Sequence, residues 1–386
     1  MKNLFPFLAL IVFLIMHLGI YFLLFKRMIK TRFPLLLLKY FLVFNFLGIL
    51  CYFWGRYYLN IPLSLYFLVS LSIGVAFVLF VVMLIYQPLS LIPYFSKKRR
   101  GFFRNIVNIG SGIFAGGYLG WGMIEAGLKP KIEVIELPLS KLPASFSAVQ
   151  ISDLHIGGLI EKNAVREIVK QTNVLEADVI FLTGDIIDAK ISQVSEALQE
   201  LSNLKAPLGI YFITGNHEYF HNIGELLGTI KSMGIKILEN QNILLEKNGE
   251  PLINLAGVYD LFGKRIGVLE PNLQEALENR QETLPTILLA HQPKFIFEVK
   301  EENQVDLVLS GHTHGGQIFP FRFLVTLDQP YLAGLYQHNA KTQIYVNRGT
   351  GFWGPPMRIL ARAEITYFKF LPAQEKFDES FNAKKV

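Results

Sequence analysis

The chain has 386 residues, 51% of them hydrophobic, enough for two domains of ordinary size, and its one cysteine excludes an internal disulfide or a cysteine cage for zinc. The formal charge of +6 is divided: residues 1–130 hold 13 Lys and Arg against one acid, Glu125, a net +12, while the remainder, with 24 basic and 30 acidic residues, carries −6. The basic residues therefore belong to short loops between apolar runs, the polar part presents no basic face, and a nucleic-acid partner is excluded.

Residues 4–25 form an apolar run without an ionised side chain, matching the ~20 residues of a membrane-spanning helix. A second run covers 33–54, with Lys39 near one end, and a third 63–86; the fourth, 106–123, is weaker and rich in glycine, which membrane helices use for close packing. The expectation is a bundle of about four transmembrane helices over residues 1–128, in a multi-pass protein of the cell membrane. Lys26, Arg27, Lys30 and Arg32 crowd the first connection, and Lys97, Lys98, Arg99, Arg100 and Arg104 the third, whereas the second holds only Arg56. Positive loops stay cytoplasmic, so four crossings place everything after about residue 125 on the extracytoplasmic face. Were the fourth run not to cross, that part would be cytoplasmic. The stretch Lys98-Arg99-Arg100-Gly101-Phe102-Phe103-Arg104 resembles an internal twin-arginine export signal, which would make that export machinery a partner; an ordinary positive-inside cluster explains it as well.

Residues 129–144, with three prolines, are expected to be a linker, and residues 145–372 a second domain. Short apolar runs at 145–151, 178–182, 209–213, 286–289 and 305–309 predict strands buried on both faces. Amphipathic stretches at 162–171, 192–204 and 223–233 predict helices between the early strands. Such alternation argues an α/β fold with crossover connections. Residues 244–256, with Lys247-Asn248-Gly249-Glu250 in the middle, predict a β-hairpin, and 342–346 and 364–370 closing strands. The polar end, 373–386, is expected to be a flexible tail.

Chemistry-bearing residues gather at the ends of the apolar runs. They are Asp153 and His155; Asp185 and Asp188 after Gly184; Asn216, His217 and Glu218 after Gly215; His291; and Gly311-His312-Thr313-His314-Gly315-Gly316-Gln317. Five of the eight histidines fall in these blocks. In α/β folds, ligand groups collect in the loops beyond the carboxyl ends of strands. Carboxylates, a carboxamide and imidazoles without a thiolate suit Mn, Fe or Zn, or Mg, rather than copper(I). They are too many for one ion and suit two that share a carboxylate.

These five blocks, D-x-H, G-D-x-x-D, G-N-H-E, a lone His and G-H-x-H in that order, resemble the calcineurin-like metallophosphoesterases, and the apolar front resembles their membrane-anchored bacterial YkuE- and YaeI-like branch. The resemblance implies a four-layer α-β-β-α sandwich and hydrolysis of a phosphate ester with two divalent metal ions. It assigns one ion to Asp153, His155, Asp185 and His314, and the other to Asp185, Asn216, His291 and His312, with Asp185 bridging. His217 would not ligate but protonate the leaving oxygen, oriented by Asp188. Phosphoprotein phosphatases continue past that aspartate with Arg-Gly, where this chain has Ala189 and Lys190. The departure argues against a phosphoprotein phosphatase and leaves the phosphate held mostly by metal; phosphodiester or pyrophosphate linkages are expected, and the neighbouring bilayer suggests a lipid or envelope precursor. Hydrolysis of UDP-2,3-diacylglucosamine in lipid A synthesis is an alternative that needs a cytoplasmic site, and a metal-loaded, non-catalytic scaffold is another. Glu218 is expected to support the site rather than react, Asp260 to support it or begin a turn, and Arg348 or Arg358 to form a structural ion pair or to meet an anionic substrate. Phe319, Phe321, Phe323, Phe352 and Trp353 could meet acyl chains or fill a core.

Overall fold

The computed structural model describes residues 4–58, 62–91 and 97–373, so the tail from residue 374 onward lies outside the described residues. The chain divides into two units, Met1–Leu128 with Trp353–Ile359, and Lys129–Phe352 with Leu360–Val386.

The first unit is helical. Leu4–Gly19 continues through a π-turn, Ile20–Phe25, and is followed by helices Arg32–Tyr58, Leu63–Leu91 and Lys97–Gly127. Among the described residues three helices are long and apolar enough to cross a membrane, over Phe7–Met28, Arg32–Trp54 and Leu63–Ser90. The fourth expected span lies inside Lys97–Gly127, where six glycines between residues 110 and 122 dilute the hydropathy, so three rather than four meet the compositional requirement. The side chains of Lys98, Arg99 and Arg100 lie outside the described residues. Polar groups inside the bundle satisfy one another: His17 Nε2 meets Asn45 Oδ1 at 2.9 Å and Asn45 Nδ2 donates to Ser72 O at 3.2 Å, as a low-dielectric setting requires. Trp353–Ile359 joins this unit through Arg358 N, which donates to Gly122 O at 2.9 Å, and through Met357, whose sulfur fills the space over Gly74.

The second unit holds two six-stranded sheets. The first is ordered β1 (Lys131–Leu139), β12 (Glu364–Pro372), β2 (Phe146–Ile151), β3 (Val179–Thr183), β4 (Ile210–Ile213), β5 (Lys236–Ile237). The second is ordered β10 (Gly334–Gln337), β11 (Gln343–Val346), β9 (Leu307–Ser310), β8 (Thr286–Leu289), β7 (Glu250–Gly257), β6 (Gln241–Lys247). The two-residue side-chain period of a strand explains why they stack. Val179 and Phe181 of β3, Ile287 and Leu289 of β8, and Leu307 and Leu309 of β9 point into one core between the sheets. Their neighbours Ile180 and Leu182 face outward, onto helices Lys162–Asn173, Ile191–Gln199 and Ile223–Ser232. Leu288 and Val308 face the other way, onto Phe295 and Ile296. Three apolar layers between four of secondary structure are the expected α-β-β-α sandwich.

Two local readings change. Residues 131–139, expected as linker, form edge strand β1, parallel to β12 from Lys131↔Glu364 to Leu139↔Pro372. An edge strand has one unpaired side, tolerates proline there and is less buried than the inner strands, so Pro138 and the interspersed charges hid it. The helix expected over 192–204 ends at Gln199 and tightens into a 3₁₀ turn, Glu200–Asn203. The hairpin forms between β6 and β7, with Asn248 and Gly249 at φ 58° and 83°, the left-handed pair that matches strand twist.

Phe368 is fully buried between the sheets, edge-on to Tyr345 with ring centroids 5.1 Å apart and stacked on Phe370 at 5.3 Å. Phe368→Ala is expected to destabilise the sandwich by about 3–5 kcal/mol, because the rigid surroundings leave a cavity; denaturant unfolding of the detergent-solubilised chain measures it.

Candidate metal centre

Every donor block follows the carboxyl end of a strand: Asp153 and His155 after β2, Asp185 and Asp188 after β3, Asn216 and His217 after β4, His291 after β8, His312 and His314 after β9. The backbone there is bent into a conformation that L-residues seldom adopt. Asp153, His155, Asp185, His312 and His314 have φ of 54°, 52°, 53°, 69° and 51°. Such strain persists only where the surroundings over-determine it. Here backbone hydrogen bonds between the loops do so: Asp153 N to Gly184 O at 3.0 Å, His155 N to Asp185 O at 3.0 Å and Gly311 N to His291 O at 2.9 Å. Two glycines are required by close approach. A Cβ on Gly215 would lie 2.3 Å from Asp185 Oδ1, and one on Gly311 1.9 Å from Ser152 Oγ.

The donors converge on two positions. Asp153, His155 and His314 form one group, and Asp185, His291 and His312 another. Asp185 also lies within reach of His155 and His217. His155 Nε2 faces His314 Nε2 at 2.9 Å, and His314 Nε2 lies 3.3 Å from Asp153 Oδ1. Asp185 Oδ2 is 3.2 Å from His291 Nε2 and 3.9 Å from His155 Nε2, so this one oxygen lies within 4 Å of a donor in each group. Separations of this size are the edges of a polyhedron whose bonds to a divalent ion are ~2.1 Å. Among the described candidate ligands, two buried atoms have no hydrogen-bond partner, Asn216 Oδ1 and His291 Nε2. His291 Nδ1 donates to Thr183 O at 2.7 Å, which fixes the tautomer and leaves the Nε2 lone pair facing Asp185. The donor set therefore fits divalent ions: His155, His314, Asp153 and Asp185 would hold one, and Asp185, Asn216, His291 and His312 a second.

Electrostatics favour cations at this spot. Burial works to lift the Asp185 pKa, but His291 and then His217 outweigh it and hold the carboxyl well below its ordinary value. Burial conversely depresses His291, yet Asp185 raises it well above the usual imidazole range. His312, pushed down to about 3 by burial and by His291, keeps its lone pair available at neutral pH.

Asp188 Oδ1 accepts from two imidazoles, His155 Nδ1 at 3.0 Å and His217 Nδ1 through a short bond. It therefore orients both a candidate ligand and the candidate acid, more than its sequence position suggested. His217 Nε2 then points toward Asp185 Oδ2, 3.8 Å away. Glu218 is fully buried behind the loops, where its carboxylate accepts from Asp185 N at 2.9 Å, Ile186 N at 2.7 Å and Gly215 N at 2.6 Å. Burial and the neighbouring Asp185 raise its pKa to about 7 against the pull of His291 and those backbone donors. Asp260 is buried and accepts from Phe262 N and Gln292 Nε2, both at 2.8 Å, so it both begins a turn and braces the residue after His291. Arg348 is ion-paired with Glu364. Sequence reasoning missed Gln150, fully buried in β2, whose amide donates to Thr183 Oγ1 and Ser310 O, both at 2.9 Å, and ties the two sheets behind the donors. A glutamine inside an apolar strand was the available signal.

A profile of the family described as calcineurin-like phosphoesterase matches residues 146–316, which contain every candidate ligand. A metallophosphoesterase of Helicobacter pylori (strain ATCC 700392 / 26695) is 40% identical over 324 residues, 83% of this chain and 86% of the relative. The chain belongs to the metallophosphoesterases. A transmembrane protein with metallophosphoesterase domain from Danio rerio is 36% identical over 255 residues, 64% of this chain and 58% of that one. The YkuE metallophosphoesterase of Bacillus subtilis is 32% identical over 230 residues, 58% of this chain and 78% of the relative. With its His and Asp donor groups and its apolar helices, this chain is a metal-dependent phosphoester hydrolase of a membrane.

Two outcomes follow from the site. Glu218→Gln leaves one acceptor oxygen where two served four backbone donors, Asp185, Ile186, Ile187 and Gly215, so a loss of about 1.5–3 kcal/mol is expected from a charge-assisted bond in denaturant unfolding, with weaker metal retention on dialysis. Because an imidazole ligates only in its neutral form and Asp185 holds the His291 pKa above its ordinary value, metal binding should release protons and weaken as the pH falls. Titration calorimetry in buffers of different ionisation enthalpy measures that release.

Proposed function

We propose that this metallophosphoesterase uses two divalent ions to cleave a phosphodiester or pyrophosphate linkage in a membrane lipid or envelope precursor. The observation that carries the reading is the sharing of Asp185 Oδ2 between two donor groups, with His217 beside them yet bonded through Nδ1 to Asp188. Bound divalent ions lower the pKa of water toward neutrality and neutralise phosphoryl charge. The residues of the chain do the rest. Asp185 holds one oxygen toward both groups while its Oδ1 accepts from His217 N at 2.8 Å, so the carboxylate cannot rotate away. Asp188 keeps the His217 proton on Nδ1 in the resting ring; once the ring is protonated, Nε2–H faces the site and donates to the leaving oxygen. A scaffold needs no such non-ligating, oriented imidazole, which favours an enzyme.

Placement on the extracytoplasmic face is part of the proposal. Between Arg104 and Glu125 the helix Lys97–Gly127 carries no ionised residue, and 20 residues at ~1.5 Å each match a bilayer core of ~30 Å. Ile109, Ile113 and Ile124 of this helix are exposed, Ile113 by 71%, as lipid contact would favour.

The test is hydrolysis of bis-p-nitrophenyl phosphate by the detergent-solubilised chain with Mn²⁺. His217→Ala is expected to lower kcat about 10²–10⁴-fold with metal content unchanged, whereas Asp185→Asn should lose metal and turnover together. Absence of turnover of this diester and of p-nitrophenyl phosphate with Mn²⁺, Zn²⁺, Fe²⁺ and Mg²⁺ would refute the proposal. A reporter fused after Val386 gives the side of the membrane.

A further inference from the structure

The last donor motif leads directly into a short apolar projection. Four of the exposed large apolar side chains of the second unit fall within residues 321–327: Phe321, Phe323, Leu324 and Leu327. Phe323 is 61%, Leu324 57% and Leu327 83% exposed. Among the described residues of this unit the other exposed large apolar side chains are Val134, Val174, Phe220, Val268, Phe297, Leu335, Leu360 and Leu371, no two of them within ten residues of each other in sequence. The projection is the turn of helix Arg322–Val325 and its flanks, and Phe323 lies edge-on to Phe319 at 5.7 Å. A charged arginine, Arg322, stands among these apolar side chains and is itself exposed.

The projection is fixed to the metal centre at both ends. At its start, Gly316 has no side chain because Arg322 packs there; a Cβ would lie 2.4 Å from Arg322 Cβ and 2.5 Å from its Cα. Phe321 N donates to Ile318 O at 2.8 Å, continuing the turn that begins with His314. At its end, Lys294 binds Asp328 through Nζ at 2.6 Å and donates its backbone N–H to Gln329 Oε1 at 3.0 Å. Lys294 follows the candidate ligand His291 by three residues. Both loops that supply imidazoles to the second donor group therefore clamp a projection whose outward face is Phe and Leu.

We propose that residues 321–327 form an interfacial finger that inserts into the bilayer and sets the metal centre at the level of lipid headgroups. A soluble surface gains nothing from four clustered Phe and Leu side chains. Three helices of the same chain are long and apolar enough to cross a membrane, and a bilayer is the apolar phase such helices enter. Aromatic and leucine side chains partition into the headgroup–acyl boundary, and an arginine among them pairs with lipid phosphate. The finger so defined deepens the lipid-substrate reading above, and rests on it only for the identity of the substrate.

The test separates the two. In a Cys51→Ala chain, Leu327→Cys is labelled with bimane and reconstituted in vesicles of phosphatidylethanolamine and phosphatidylglycerol. Val174→Cys, at a position 81% exposed beyond helix Lys162–Asn173, is the control. The expected result is a blue-shifted Leu327 probe, shielded from iodide and quenched by spin-labelled lipid, with the Val174 probe unaffected. This outcome does not depend on turnover, so a chain that hydrolyses no ester still reports on the finger. In parallel, the triple variant Phe323→Ser, Leu324→Ser, Leu327→Ser is expected to lose at least about tenfold in hydrolysis of a vesicle-resident phosphodiester lipid, with bis-p-nitrophenyl phosphate turnover kept within about twofold. A water-like Leu327 probe in vesicles overturns the proposal. So does probe shielding that follows protein concentration without lipid, which would mark a contact between two copies. Parallel loss of both substrates in the variant overturns it as well.

Discussion

The site depends on keeping the Asp185 carboxylate ionised where there is almost no water. Asp185 is 2% exposed, and its Oδ2 meets imidazole nitrogens of His291, His217 and His155 at 3.2, 3.8 and 3.9 Å. A buried carboxylate is tolerated only with opposite charge and hydrogen bonds around it. The loops behind it are organised to supply them. His217 N holds Oδ1, and the backbone of the same loop is gathered by Glu218, a second buried carboxylate turned away from the donors. Two acids so close are compatible because one takes backbone N–H groups and the other takes cations. Gly215 makes this possible, since any side chain there would occupy the space of Asp185 Oδ1.

Donors from two sheets must meet within a few ångströms, so the sheets cannot slide. The core between them is built largely from rings and branched chains, among them Phe181, Tyr211, Tyr345, Phe368 and Phe370, which hold few alternative packings. Gln150 adds a directional link, one amide bonding Thr183 in the first sheet and Ser310 in the second. Thr183 O in turn receives the His291 Nδ1 proton. The left-handed backbone at five donor residues is thus carried by rigid strands on either side rather than by the loops themselves.

How legible this was depended on how exacting each position is. Metal donors and proton donors admit few residue types, so the candidate ligands Asp153, His155, Asp185, Asn216, His291, His312 and His314 and the candidate acid His217 stood out from five short blocks, and the structure brings all of them to one end of the two sheets. The inner strands were equally plain, because burial on both faces leaves an unbroken apolar run, as in Val179–Thr183. Edge strand β1 was hidden for the opposite reason: it is only partly buried, with Lys131 and Glu136 exposed, and it carries a proline, which a sheet edge tolerates. The double duty of Asp188 was also illegible, since only the fold brings His155 and His217 to the same oxygen. Nor could sequence place Trp353–Ile359 with the helices, a segment that departs from the domain between two of its strands.

Charge counting carries the substrate argument one step further. A monoester presents about two negative charges near neutral pH and a diester one. Phosphoprotein phosphatases are expected to place a guanidinium after the second aspartate of the G-D-x-x-D block; here Ala189 occupies that position, its Cβ 3.0 Å from where a Cβ on Gly157 would lie. The stem of Arg348 passes 3.2 Å from a Cβ built on Gly315, beside His314, yet its guanidinium is committed to Glu364, which also accepts from Tyr345. Drawing Arg348 back to a phosphate would strand Glu364, which is 1% exposed, without its cation. An uncompensated buried carboxylate costs several kcal/mol, on the order of 3–5, more than a rim-exposed contact to phosphate returns. Neither position supplies an uncommitted arginine, and this favours the proposed reading, because a singly charged phosphoryl centre would make the smaller demand on cations at the donors.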